Sequence, residues 1–473
     1  MHNNDKKIVG SAYNTFCFSS VAAENWLPLI TSEIEITKKE IDAIAHNPQP
    51  PTFENTIEAL EFSGELLDRL TSTFFNLNSA ETNDTLQAAA QQISPLLSEF
   101  GNDIRLNENL FRRIKIVYQQ RKTLSLSEEQ KTLLRKKYKN FARNGANLPK
   151  SKKERLRELD KQLSKLTLKF GENVLAETNK YELNITKPED LNGLPEGTIE
   201  AAAQEAKSRN KQGWVFTLNY PSYLPFITYA NNRELRKQLY LAFGRKGFNG
   251  DSLDNQEIIK KITSLRNERA NLLNYPTHAH FVLEERMAKT PDTVTAFLND
   301  LLAKAKPAAK REFAKLQDFA KNLDGIGQLE KWDSAYYIEK LKQQLFNLDD
   351  EKLKPYFKLE NVIDGVFKVS EKLFGLNFQE INSIEKYHED VKTYRVNDEN
   401  GNYTSILYAD FHPRPGKRNG AWMTSFKNQW IQNGENSRPH ISIVCNFTKP
   451  TPTKPSLLTF NEVTTLFHEF GHA

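Results

Sequence analysis

His468 and His472 stand four residues apart near the end of the chain, and Glu469 directly follows the first of them. On an α-helix this spacing puts both imidazoles on one face, one turn apart. Two neutral imidazoles so placed suit two positions of a tetrahedral Zn2+ site. Glu469 falls beside the ligand line. There a carboxylate can take a proton from a water whose pKa the metal lowers to about 7. The water then attacks a carbonyl, and the carboxylate passes the proton to the leaving amine. This is the H-E-x-x-H arrangement of metalloproteases. With nine histidines in 473 residues, it arises by chance in roughly one such chain in a hundred, so its surroundings must decide.

The competing reading is a helix with two exposed or satisfied histidines. Thr459-x-x-Glu462 reads as a capping box that starts the helix. Phe460, Val463, Phe467 and Phe470 are expected along one of its faces. His278 and His280 would point the same way only on a strand, and Tyr275-Pro276 before them predicts a loop. His412 lies in a Pro/Gly/Arg-rich loop and His440 begins a strand, and either could line a cleft. The segment His440 to Asn446 reads as an ordinary buried strand or as one that holds an extended peptide by β-addition. Cys445 within it reads as a small buried hydrophobe.

These residues need elements to position them. The first 210 residues or so read as consecutive helices. Pro50-Pro51-Thr52 is a breaker and cap, followed by Phe53, Ile57, Leu60, Leu67 and Leu70 at helical spacing. Ser127-x-x-Gln130 is a capping box, and Asn144-Gly145 ends the helix it starts. Pro149 and Ser151-x-x-Glu154 begin a long helix with a stripe at Leu156, Leu159, Leu163, Leu166, Phe170 and Val174. Pro188 to Gly197 is turn-rich. Gly213 to Tyr229 is rich in aromatic and β-branched residues, with Pro221 and Pro225 inside, and helical pattern resumes from about Asn232. Thr290-Pro291 opens another helix. From about Val391 the period shortens towards two, and Val391 to Val396, Tyr403 to Phe411 and His440 to Asn446 read as strands.

Global composition bounds the rest. A length of 473 residues suggests roughly two to four domains' worth of core. A mean hydropathy of −0.64 and no apolar run of membrane-spanning length predict a soluble globular protein without a membrane partner. Met1 to Lys7 contains no apolar segment of leader length, which predicts a cytoplasmic location. Two cysteines, Cys17 and Cys445, exclude a disulfide framework and fit a reducing compartment. A net charge of +5 argues against nucleic acid. The Lys/Arg-rich stretch from Arg112 to Lys169 reads as a solvated helix face, with a partner surface as the minor alternative.

The run from Leu457 to Ala473 closely resembles the thimet-oligopeptidase (M3) family of zinc metallopeptidases, of the bacterial peptidyl-dipeptidase and oligopeptidase A type. Other stretches agree: Asp410-Phe411 through Arg414, Lys417 and Gly420-Ala421-Trp422-Met423; Cys445-Asn446-Phe447; Trp332-Asp333 with Tyr336-Tyr337; Pro355-Tyr356-Phe357; and Asn47-Pro48 through Thr56. The resemblance implies a mainly α, two-lobed, zincin-type fold around a deep channel that admits short peptides, with a small β-sheet before the zinc helix. It implies an N-terminal helical region over residues 1–212 and a catalytic region over 213–473. It implies His468 and His472 as Zn2+ ligands, Glu469 as general base, and release of C-terminal dipeptides, with internal cleavage by an oligopeptidase as the alternative. Pro413, Gly416 and Asn419 depart from the family pattern around Lys417, which leaves that loop's substrate contacts open. The family's third zinc ligand is a later glutamate, and the chain stops at Ala473. The expectation is therefore a fragment, C-terminally truncated, that binds zinc weakly and does not turn over peptides, or else a complete non-catalytic peptide-binding protein.

Overall fold

A computed structural model describes residues 8–10 and 13–473. The Met1 to Lys7 segment, considered above for a leader, lies outside the described residues. The first long helix, α1 (Trp26–Ala45), buries Trp26, Ile30, Ile34 and Ile41 at three- to four-residue multiples. Thr52 and Asn55 then close a reciprocal cap that opens a π-helical turn, Phe53–Glu58. The apolar series from Phe53 to Leu70, predicted as one helical stripe, is divided: Ala59–Phe62 ends at Ser63, and α2 (Glu65–Ala80) starts anew. Gly64 makes the break at φ 73°, and a Cβ there would come 2.7 Å from Thr37 Cγ2.

The helices α3 (Asp84–Arg105), α4 (Glu108–Gln119) and α5 (Glu128–Arg143) follow. The Ser127/Gln130 capping box forms as expected, and Gly145 ends the turn at φ 101°. In contrast, α6 (Lys150–Lys180) starts one residue before Ser151, with Pro149 as its cap, so the Ser151/Glu154 box does not form. Strand β1 (Leu183–Ile185), α7 (Glu196–Ser208) and β2 (Trp214–Phe216) come next, β1 pairing antiparallel with β2. Helix resumes earlier than the pattern suggested, at α8 (Tyr220–Tyr229), because Pro221 sits in the first turn, where no intrahelical N–H is missed. Then come α9 (Arg233–Gly244), α10 (Gln256–Leu272), α11 (Pro291–Asp324, capped by Thr290 as predicted), α12 (Ser334–Phe346) and α13 (Leu359–Phe374). Along α6, Leu156 and Leu159 are buried but Phe170 is exposed. Burial moves to Glu172 and Asn173, which bond to Gln91 and Asn255, because α6 is gripped by both α3 and α10.

The remaining strands are β3 (Asn377–Glu380), β4 (Lys392–Asn397), β5 (Tyr403–Asp410), β6 (Trp422–Lys427), β7 (Trp430–Gln432), β8 (Glu435–Ser437) and β9 (His440–Val444), followed by α14 (Phe460–His472). The three segments of period two become β4, β5 and β9. Five strands form one sheet in the order β3-β4-β5-β9-β6, with only β5 and β9 parallel. One face packs Leu407, Ala409, Ile443 and Met423 against α13 and α14. The other packs Ile406, Tyr408 and Phe426 towards Phe18. There Trp422 Nε1 and Thr424 Oγ1 each donate to Asn76 Oδ1 of α2 at 3.0 Å. The molecule is mainly helical with a small sheet ahead of the last helix, as expected. No described helix is long and apolar enough to cross a membrane.

Candidate active site

Helix α14 is set by its first turn. Thr459 N–H donates to Glu462 Oε2 at 2.7 Å, and Glu462 N–H donates to Thr459 Oγ1 at 3.2 Å, closing the expected box. The buried face differs from expectation. Leu466 is 2% exposed and Glu469 7%, whereas Phe460 is 60% and Phe467 41% exposed. The stripe towards the sheet is Glu462, Val463, Leu466, Glu469 and Phe470, turned by about one residue from the aromatic one. Two glutamates lie on that stripe, and a rule that puts apolar side chains inside cannot find them.

The histidines emerge on the adjacent, exposed face. His468 Nε2 and His472 Nε2 approach to 3.2 Å, with ring centroids 4.8 Å apart and planes at 87°. Two nitrogens bound to one tetrahedral zinc at the usual bond length are separated by about 3.3 Å, so this pair fits the metal. Among the described residues, no group of three His, Cys, Asp or Glu side chains is placed to hold a metal ion. Glu469 lies between the histidine face and the core, above buried Cys445. Burial pushes the Cys445 thiol far above its usual range; Lys417 opposes this, and Glu469 and Asp410 add to it. The small-hydrophobe reading of Cys445 holds.

The other sequence candidates separate. His440 is 1% exposed inside β9, and burial, with the charges of Arg69 and Lys427, lowers it to about 3, so it is a neutral core residue. His412 stays in a loop and is also lowered, mainly by burial. His278 and His280 lie on a short helix, His278–Leu283, where a loop was expected. Thr277 caps that helix, a signal that Tyr275-Pro276 obscured. Strand β9 runs between β5 and β6, with both edges paired, so of the two readings of this segment the ordinary buried strand holds and β-addition along it does not. Among the described strands of this sheet, β3 and β6 are the edges.

Sequence reasoning missed a buried ion cluster beneath the site. Asp410, 0% exposed, accepts from Arg414 Nη1 and Nη2 at 2.9 and 2.7 Å, Lys417 Nζ at 2.7 Å and Tyr387 OH at 2.9 Å. Burial pushes its carboxyl up, but the Arg414 hydrogen bonds and both cations outweigh that and hold it below the usual range. Burial brings the Lys417 ammonium down to about 8 against the pull of Asp410. The backbone oxygen of Asp410 accepts from Cys445 N–H, and that of Phe411 from Phe447 N–H, both at 2.7 Å. The cluster therefore anchors the segment leaving β9, on which α14 rests. The available signal was an Asp, an Arg four residues on and a Lys seven on.

Comparison with known proteins gives this arrangement its context. The model of peptidase family M3 matches residues 226–473. Oligopeptidase A of Escherichia coli (strain K12) is 34% identical over 460 residues, covering 96% of this chain and 68% of the relative. Dipeptidyl carboxypeptidase of the same organism is 36% identical over 457 residues, covering 96% and 67%. The probable cytosolic oligopeptidase A of Arabidopsis thaliana is 33% identical over 474 residues, covering 96% and 67%. The chain belongs to peptidase family M3. In this M3 chain two of the other landmarks, Asp333 and the Asn47 to Thr56 segment, are fastened by arginines from neighbouring helices. Asp333, fully buried, takes Arg233 at 2.9 and 2.7 Å and Arg236 at 3.2 Å, joining α9 to the turn before α12. Arg113 of α4 donates to the backbone oxygens of Asn47 and Gln49 and to Asn55 Oδ1, fixing the Asn47 to Thr56 segment.

Proposed function

We propose that this M3 chain holds Zn2+ through His468 and His472, with Glu469 as general base, and serves the hydrolysis of peptide bonds in short peptides in the cytoplasm. The observation that supports it is the 3.2 Å approach of the two Nε2 atoms on an exposed helix face. Zinc, when bound, supplies Lewis acidity to a carbonyl and makes water acidic enough to ionise near neutral pH. Glu469 takes the proton of the attacking water and returns it to the leaving amine. Its burial against the sheet limits its rotamers and keeps it beside the histidines. The two imidazoles make up two of the three protein ligands that a catalytic zinc takes.

The finer reading is release of C-terminal dipeptides, supported by likeness to a protein named dipeptidyl carboxypeptidase. Likeness to proteins named oligopeptidase A supports internal cleavage instead. Digestion of a free and a C-terminally amidated peptide by a form of the protein that supplies the third zinc ligand separates them. Successive dipeptides from the free form alone are expected; internal fragments from both forms overturn the dipeptidase reading. The chain by itself, with two of those three ligands placed among the described residues, is expected not to turn over peptides; in a form of the protein that supplies the third ligand, Glu469→Gln is expected to lower turnover by at least about a hundredfold, the lower range for general acid–base catalysis. Turnover that survives a chelator and this substitution sinks the zinc mechanism. Peptide binding without cleavage under any metal loading supports the non-catalytic alternative.

A further inference from the structure

The Glu462 carboxylate does more than close the cap. Its Oε2 accepts from Thr459 N–H and Oγ1, while its Oε1 turns outward and accepts from Thr448 N–H at 2.7 Å and Thr448 Oγ1 at 3.0 Å. Thr448 lies in the segment that leaves β9, three residues after Cys445. Its remaining backbone group is also held, since Thr448 C=O accepts from Ser456 Oγ at 2.6 Å. One carboxylate thus joins the helix bearing His468, Glu469 and His472 to the strand exit anchored by Asp410.

The position along the helix matters. Glu462, Leu466 and Glu469 fall at i, i+4 and i+7, one stripe over two turns. Leu466 shares one apolar cluster with Cys445 and Phe447, Phe470 meets the rings of Phe367 and Phe378, and this burial sets how far the helix is rotated. Apolar contacts of this kind are not directional and resist sliding along the axis weakly. Two short charge-assisted bonds at the first turn are directional and fix the slide. A rise of 1.5 Å per residue means that a slip of one residue moves Glu469 and both imidazoles by about that distance.

We infer that Glu462 is a positioning residue for the His468/Glu469/His472 group, acting as a clamp between α14 and Thr448 that is separable from its capping role. The inference rests on the proposed reading of that group as the metal site. The diagnostic substitution is Glu462→Gln. A glutamine oxygen can still accept from Thr459 N–H, because a capping box takes Glu or Gln. Its amide then presents N–H donors to the Thr448 N–H, so the shorter clamp bond is lost and replaced by a donor–donor clash, with only the Thr448 hydroxyl able to turn and accept, while the cap survives.

Two measurements on the full chain test this. The first is titration with Zn2+ alone, comparing wild type, Glu462→Gln and Thr459→Ala. Glu462→Gln is expected to weaken zinc binding by about tenfold, the lower end for groups that orient metal ligands. Thr459→Ala, which loses the cap oxygen and keeps both Thr448 bonds, is expected to leave it unchanged. The second is hydrogen exchange along Phe460 to His472, which needs no metal. Glu462→Gln is expected to speed exchange throughout the helix, and Thr459→Ala only in its first turn. Equal zinc affinities in wild type and Glu462→Gln, or faster exchange confined to the first turn in both variants, overturn the clamp. Absence of zinc binding by the wild type sinks the metal reading instead, and exchange then decides the clamp by itself.

Discussion

Ionisable side chains inside this protein survive by different means. Asp410 stays charged because two cations and a phenol surround it, and a buried carboxylate without them would neutralise. His440 is buried beside the like charges of Arg69 and Lys427, with a backbone hydrogen bond at Tyr13 too weak to offset them, and it stays neutral, its pKa lowered to about 3. The unfolded chain binds a proton at His440 from about pH 6.5 downward, whereas the folded chain does not until about pH 3. Its folded pKa is depressed, so the associated stability is fully present above about pH 6.5 and is lost as pH falls towards 3. Between pH 7 and pH 5 the wild type is expected to lose about 2 kcal/mol from this group alone. His440→Gln should lose that much less over the same interval in urea denaturation. Parallel pH profiles of the two proteins would rule the account out.

At the level of the element, α14 shows how a helix can be recognised by its period and still be misjudged in orientation. Its apolar residues Phe460, Val463, Phe467 and Phe470 mark one face, but the sheet takes only Val463 and Phe470 of them, on a stripe with Leu466 at its centre. Leu466→Ala is expected to cost about 2–5 kcal/mol through lost burial and the cavity left behind. Phe467→Ala, although a larger truncation, should change stability by less than about 1 kcal/mol because Phe467 is 41% exposed. Chemical denaturation of the two variants checks the orientation, and the reverse ranking would restore the aromatic face. The strand β9 teaches a related lesson. Its sequence permits an edge or an interior position, and its pairing with β5 and β6 makes it interior.

The five-stranded sheet carries α13 and α14 on one face and meets the N-terminal region, chiefly α2 and Phe18, on the other. The two layers are joined by polar contacts as well as apolar ones. Thr82 N–H donates to Gly416 C=O at 2.7 Å, Arg418 N–H to Ser79 C=O at 2.9 Å, and Arg414 pairs with Glu81 as well as Asp410. Asn76 is central, since a single side-chain oxygen accepts from both Trp422 and Thr424. Asn76→Ala leaves two donors unpaired in a half-buried interface and is expected to cost about 1–3 kcal/mol. Urea denaturation of that variant beside the wild type checks this, and an unchanged midpoint would rule it out.

Local chemistry made part of this protein legible from sequence alone. The capping boxes at Ser127 and Thr459 and the proline start at Pro291 depend on interactions within a few residues, and the strands β4, β5 and β9 are marked by the local period of their side chains. The pairing of His468 with His472 is equally local, because one helical turn suffices to bring the rings together. The rest required the tertiary structure, because it depends on partners remote in sequence. Gly64 breaks a stripe because Thr37 lies across from it, and α6 changes its buried face because two helices grip it. The Asp410 cluster draws in Tyr387 and Glu81, and Glu462 reaches outside its helix to Thr448. The sequence determined that two imidazoles and a carboxylate share one turn. The fold determined which side of that turn faces the sheet, through buried charges whose cost is offset only by groups brought together in three dimensions.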